Sequence, residues 1–204
     1  MNRTRILPLF LALGLAACAA DGGQRGSGIT SAEGNVASVQ RDGTSGVGGI
    51  HVTVEGSDLE TDTDSAGRFS VRGQFDGPTG LLFERQDDHL SARLELNAPA
   101  GGTLTLRDVH IDAQAGQARP EAAEVVFEGS VAALDCSTGR LTLVSTQRDP
   151  GDTDTYAVDL QSSSLRDRRR EPRECSDLHV DDRLAVDGFF AEDGAIGSAE
   201  LIIE

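Results

Sequence analysis

The stretch "GIHVTVEGSDLETDTDSAGRFSVRG", residues 49–73, decides how the rest of this 204-residue chain is read. Ile50, Val52 and Val54 alternate with His51, Thr53 and Glu55, and Phe69 and Val71 alternate with Arg68, Ser70 and Arg72. Period-two alternation puts the apolar set on one face of a strand, so both ends of the stretch read as β-strands with one buried side. Between them, "TDTDSAGRF" (61–69) presents two chemistries. Asp62 and Asp64 stand at positions 1 and 3 of a calcium loop, with Gly67 at position 6. Position 5 is Ala66 and position 12 is Gly73, so two oxygen ligands are lacking, including the bidentate one. As a tight turn the same residues need nothing further: Asp64 accepts backbone hydrogen bonds and Gly67 takes a positive φ. The turn is the preferred reading, with Asp62 and Asp64 kept as weak metal candidates.

Outward from this stretch the same pattern repeats. "HLSARLELNA" (89–98) turns Leu90, Ala92, Leu94 and Leu96 to one face. In "GTLTLRDVHIDA" (102–113) the apolar parity changes from Leu104 and Leu106 to Val109 and Ile111, which predicts a bulge at Arg107-Asp108. No segment here has a helical period. After Pro120 a second block begins, with strands expected at 124–134, 140–146 and 155–161, then in "DRLAVDGFF" and "AIGSAELIIE". Its 162–176 insert, "SSSLRDRRREPRECS", reads as the one non-strand stretch. The fold class expected is all-β: a seven-stranded sandwich over 34–118 and a small antiparallel barrel over 123–204.

The N-terminus, "MNRTRILPLFLALGLAAC", joins Arg3 and Arg5 to a short apolar run that ends in Leu-Ala-Ala-Cys. It resembles a bacterial lipobox, which implies that residues 1–17 are a signal peptide and that Cys18 is acylated; an ordinary secretory signal cleaved after Ala17 is the alternative. With Ala19 and Ala20 following, the resemblance implies a lipid-anchored envelope protein sorted to the outer membrane. Residues 18–33, small and Gly-rich, read as a flexible tether. The other two cysteines, Cys136 and Cys175, form an even pair in an exported protein, so a disulfide is expected.

Composition excludes several functions. Without residues 1–17 the chain keeps 16 arginines against 34 acids, a formal charge of −18. No positive footprint for nucleic acid exists in that balance. The chain has no lysine, which removes Schiff-base and P-loop chemistry. His51, His89, His110 and His179 are scattered without ligand spacing, and neither HExxH nor GxSxG occurs. With no Trp and one Tyr, a sugar-stacking cleft is poorly provided for. Cofactors are not implied.

The first block, on "GVGGIHVTVEG" (46–56) and "TDTDSAGRFSVRG" (61–73), resembles a carboxypeptidase-regulatory-like domain, a transthyretin-type sandwich. "LLFERQDD" is more charged than that family's usual strand. Its surface-protein relatives form Lys–Asn isopeptide bonds, which a chain without lysine cannot. The second block, on "FEGSVAAL" (127–134), "VDDRLAVDG" (180–188) and "SAELI" (198–202), is similar to an OB-like domain of unknown function found in bacterial lipoproteins. There Asp181 replaces the turn glycine. Neither resemblance carries catalytic residues.

The reading is therefore a non-catalytic envelope protein, not an enzyme, acting as an interaction or scaffold module through edge strands and loops. The alternative is a small-ligand or Ca²⁺-binding protein using its acidic turns. Partners expected are the membrane, through Cys18, and other envelope proteins. Arg166, Arg168, Arg169, Arg170 and Arg173 make the best candidate contact for an anionic partner; the plainer account is a solvated loop balanced by nearby acids.

Overall fold

The computed structural model describes residues 28–40, 47–87, 89–148 and 154–204. The chain is all-β, and one turn of 3-10 helix at Cys175–Asp177 is the only helical element among the described residues. Cys18 and the signal segment lie outside the described residues.

The first eight strands are β1 (Thr30–Gln40), β2 (His51–Val54), β3 (Glu60–Asp62), β4 (Arg68–Gly73), β5 (Gly77–Arg85), β6 (Leu90–Ala98), β7 (Thr103–Asp112) and β8 (Gln117–Arg119). One layer runs β4–β1–β7 and the other β3–β2–β5–β6. Their apolar faces meet where Phe69 of β4 packs edge-on against Phe83 of β5, ring centroids 5.6 Å apart. Short β8 touches both layers, antiparallel to β7 and parallel to β6 at the single pair Arg93↔Gln117. The sandwich thus has seven main strands and a brief eighth. It also starts earlier than expected: Thr30–Glu33, read from composition as tether, are the first residues of β1. Local polarity hid them, because their partners in β4 and β7 lie some 40 and 70 residues away.

The bulge at Arg107-Asp108 is present. Between the pairs Gly34↔Leu106 and Val36↔Val109, the single residue Asn35 of β1 opposes two of β7, Arg107 and Asp108, and Asp108 takes φ +48°. Asn35 secures it: its Nδ2 donates to Asp108 Oδ1 at 2.8 Å, and the Asp108 N–H donates to Asn35 Oδ1 at 3.2 Å. At Gly34, a Cβ would lie 2.4 Å from the Leu106 carbonyl oxygen, so the approach of β1 to β7 here requires glycine.

The remaining strands are β9 (Ala122–Asp135), β10 (Arg140–Ser145), β11 (Tyr156–Asp159), β12 (Ser164–Asp167), β13 (Arg183–Phe190) and β14 (Ile196–Ile203). Five close a barrel in the order β9–β10–β11–β14–β13–β9, the strand order of an OB-type barrel. Antiparallel pairing is expected throughout, but β11 meets β14 in parallel at Val158↔Ile196. The 162–176 insert is a second departure. Ser164–Asp167 form β12, paired in parallel with β14 from Glu200 to Ile203. Arg166 within it, with four more arginines and Pro172 just after it, disguised that strand in the sequence.

Strand β9 belongs to both halves. Ala122–Val126 pair with β7, and Gly129–Asp135 pair with β10, so one sheet runs through sandwich and barrel. Buried side chains reinforce the join: Tyr156 Oη donates to the Ala98 carbonyl at 2.9 Å and Ser145 Oγ to the Ala100 carbonyl at 2.7 Å. Cys136, in the β9–β10 turn, is disulfide-bonded to Cys175, with Cα atoms 5.7 Å apart. This ties the crossing segment 160–182 over the barrel, where Leu178 is buried in the core.

Candidate functional site

The aspartate stretch is a turn whose carboxylate is already occupied. Asp64 Oδ1 accepts from the Ala66 N–H at 2.8 Å and the Arg68 N–H at 3.0 Å, and its Oδ2 receives the Arg68 guanidinium at 2.8 Å. The Arg68 amide first, and then its side chain, hold the Asp64 carboxyl below the usual carboxylate range. Gly67 has φ +79°, and a Cβ there would lie 2.3 Å from the Val36 carbonyl oxygen. The turn does not join two paired strands, as a hairpin would. It carries the chain from β3, paired with β2, across to β4, paired with β1. Asp62 faces elsewhere: its Oδ1 lies 2.9 Å from His51 Nδ1, while Glu60 approaches His51 Nε2 at 3.3 Å. The two weak metal candidates therefore serve different partners. Among the described residues no group of three His, Cys, Asp or Glu side chains is placed to hold a metal.

The arginine cluster is partly spent within the fold. Arg170 meets Glu200 at 2.7 Å, with Arg166 at 3.8 Å from the same carboxylate, and Arg173 meets Asp167 at 2.6 Å. Asp167 is held below its ordinary pKa mainly by Arg173, then by the Glu171 N–H. These contacts tie β12 and the following bend to β14. Arg168 and Arg169 are exposed and make no ion pair among the described residues, so the cluster offers two free cations rather than five.

Concavities occur at several places on the described surface, among them the barrel and the seam. On the barrel, β10, β11 and the β13–β14 turn enclose about 410 Å³ around Arg140, Asp159, Gln161, Ser162 and Asp193. Several of its polar groups satisfy one another: Asp159 accepts from the Gln161 N–H and from Ser162 Oγ, Gln161 Nε2 donates to the Thr138 carbonyl, and Ser162 Oγ accepts from the Ser198 N–H. The exposed Arg140 guanidinium has no partner among the described residues.

The larger groove, about 920 Å³, lies at the seam of the two halves. One wall is β6 from Arg93 to Asn97; the other is the β8–β9 junction from Arg119 to Ala123. Phe190–Glu192 of the β13–β14 turn close one end, and Leu94, Leu96 and Leu106 supply apolar surface. Here β6 is an open edge. The Arg93 N–H points away from β5 and donates to the Gly116 carbonyl at 3.1 Å. Antiparallel alternation then turns the N–H and C=O of Glu95 and Asn97 the same way, into the groove. Pairing agrees, since Asn97 sits opposite Pro78, which has no N–H, and Gly80, opposite Glu95, accepts from Glu55 on its far side. On the edge away from β5, no described strand pairs with β6 beyond Arg93. Asn97 Oδ1 is also buried without a hydrogen-bond partner. A buried acceptor of this kind is open to a donor from outside the protein's own packing, water included.

Charge in the groove is unevenly balanced. Arg93 is bridged by Glu55 at 2.6 Å and also pairs with Glu95. Glu121 and Glu192 line the groove without an ion-pair partner among the described residues. None of these groove residues stood out in the sequence, where "ARLELNAP" reads as one more alternating strand. The departure shows only in the structure, where Leu96 is half-buried although the alternation predicts a core position.

No family model matches the chain, and no curated protein matches it. Among solved structures it is similar to a "putative carbohydrate binding protein" of Bacteroides uniformis, with 12% identity, 86% of this chain and 98% of that chain covered, and a TM-score of 0.26. No helix among the described residues is long and apolar enough to cross a membrane.

Proposed function

We propose that this protein is a non-catalytic envelope lipoprotein, anchored to the outer membrane through an acylated Cys18, that acts as an interaction module. Multiple acyl chains, each CH₂ contributing about 0.8 kcal/mol when buried, would hold it at the bilayer. The observation that carries the interaction reading is the seam groove, where an open strand edge, apolar surface and unpaired carboxylates converge. The same reading assigns residues 34–118 to the carboxypeptidase-regulatory-like type and 123–204 to the OB-like lipoprotein type, in keeping with the sandwich layers and the barrel order.

The test follows the anchor and the contact separately. Metabolic labelling with an alkyne fatty acid should mark the full chain and should fail with Cys18→Ser, which should also leave the membrane fraction. Photocrosslinking from the groove wall at Arg119 in native envelopes should give a discrete product. Loss of membrane retention without loss of the crosslink would separate the two parts of the proposal; absence of both would overturn it.

A further inference from the structure

The interaction reading leaves the partner's chemistry open, and the open edge of β6 narrows it. We propose that Leu94–Asn97 is the docking site for an extended peptide segment with basic side chains, which adds as a strand beside β6.

Three features select this occupant. The first is the spacing of the free groups. Glu95 and Asn97 each direct a donor and an acceptor into the groove, two residues apart and so roughly 7 Å apart along the strand. That repeat is matched by the backbone of another extended chain, which can exchange N–H···O bonds with both residues. The second feature is the length of the opening. The turn at Pro99–Gly102 closes it at one end and the Arg93↔Gln117 contact at the other, leaving about four residues of edge. The third is charge: Glu121 and Glu192 flank the site against Arg119, which has no ion pair among the described residues, Arg93 is neutralised within the protein, and the chain as a whole carries −16. An incoming acidic segment would meet repulsion, whereas a basic one would be steered in. Alternate side chains of the added strand would lie on Leu96 and Phe190.

The edge has little protection of the usual kind. It has no proline, no lysine and no bulge, the devices that normally blunt an exposed strand.

The experiment uses the full-length chain in detergent and a fluorescein-labelled, acetylated hexapeptide, Thr-Val-Arg-Val-Arg-Thr, followed by anisotropy. Saturable binding is expected. N-methylation of alternate peptide amides, which leaves the side chains in place, should weaken it at least about tenfold. In the protein, Glu95→Pro removes the groove-facing N–H without breaking a ladder bond to β5, together with the carboxylate that pairs with Arg93, which Glu95→Gln removes alone; it should weaken binding to a similar extent. Glu95→Gln, which keeps the N–H, should stay within about threefold of the parent. Replacing both peptide arginines by glutamate should abolish binding. Indifference to N-methylation on the parent protein would overturn the proposal, even if Glu95→Pro failed to fold. So would the absence of saturable binding, or displacement of the peptide by maltoheptaose. If the peptide fails while crosslinking from Arg119 still captures a product, the interaction reading survives and the strand-addition proposal does not.

Discussion

The only tyrosine of the chain, Tyr156, donates its buried hydroxyl to the carbonyl of Ala98 at 2.9 Å. Tyr156 opens β11 of the barrel and Ala98 ends β6 of the sandwich, so the bond crosses the seam. The Tyr156 ring also packs against Phe127, centroids 5.2 Å apart. With β9 shared by the two halves, this arrangement makes the seam part of the core.

Tyr156→Phe keeps the ring and removes the hydroxyl. The loss should be about 1–2 kcal/mol, since the interior bond is not replaced by water. Urea unfolding should shift while remaining one cooperative transition. Two separated transitions in the parent protein would contradict a shared core.

The Cys136–Cys175 bond closes a loop of 39 residues of separation. In the chain-entropy model such a loop contributes about 4 kcal/mol through the unfolded state. Replacing both cysteines by serine should lower the unfolding free energy by about that amount and release the 160–182 crossing first, seen as faster amide exchange there.

His51 sits between Asp62 and Glu60 and its pKa is raised from 6.5, chiefly by the hydrogen bond with Asp62. Folding therefore favours the protonated ring. Its contribution is complete below 6.5 and disappears as pH rises through the raised value. NMR titration should place His51 above 6.5, and Asp62→Asn should bring it down. A His51 that titrates at or below 6.5 in the parent protein would contradict the geometry.

Carboxylates behave oppositely. Asp135 is pushed down to about 2, first by the Ser137 hydroxyl and then by that of Thr138, and Asp64 is lowered mainly by the Arg68 amide. Their stabilisation is present above 3.8 and is lost as pH falls from there through the lowered values. Because Asp64 spends both oxygens inside its turn, calcium should produce no saturable heat in calorimetry. EDTA should leave the melting temperature unchanged.

Asn97 carries a buried Oδ1 without a partner. Asn97→Val places a β-branched side chain in a strand and removes that acceptor, so stability should rise by about 1 kcal/mol. A drop in the urea midpoint would show that the amide is needed by the fold itself.

Period-two alternation was legible in the sequence because each strand has one buried face, and so was the bulge, because Leu106 and Val109 break parity across Arg107-Asp108. The cysteine pair was legible for want of other partners. Strand β12 was not, since its stabilisation comes from β14 and from Glu200 of that strand meeting Arg166 and Arg170, and β14 lies some 36 residues away. The tether's end was misjudged for the same reason. Thr30 looks like linker but is buried, with its hydroxyl donating to Pro99 and accepting from Gly101.

By itself, then, the sequence determined an all-β chain, its main strands and the turn role of Asp64 and Gly67, because these follow from side-chain alternation and local hydrogen bonding. Only the tertiary structure decided that β9 serves two halves, that three arginines are spent on carboxylates, and that β6 keeps an open edge. Those outcomes depend on which strands meet across the chain. An edge is open when no partner arrives, and no residue along β6 announces that.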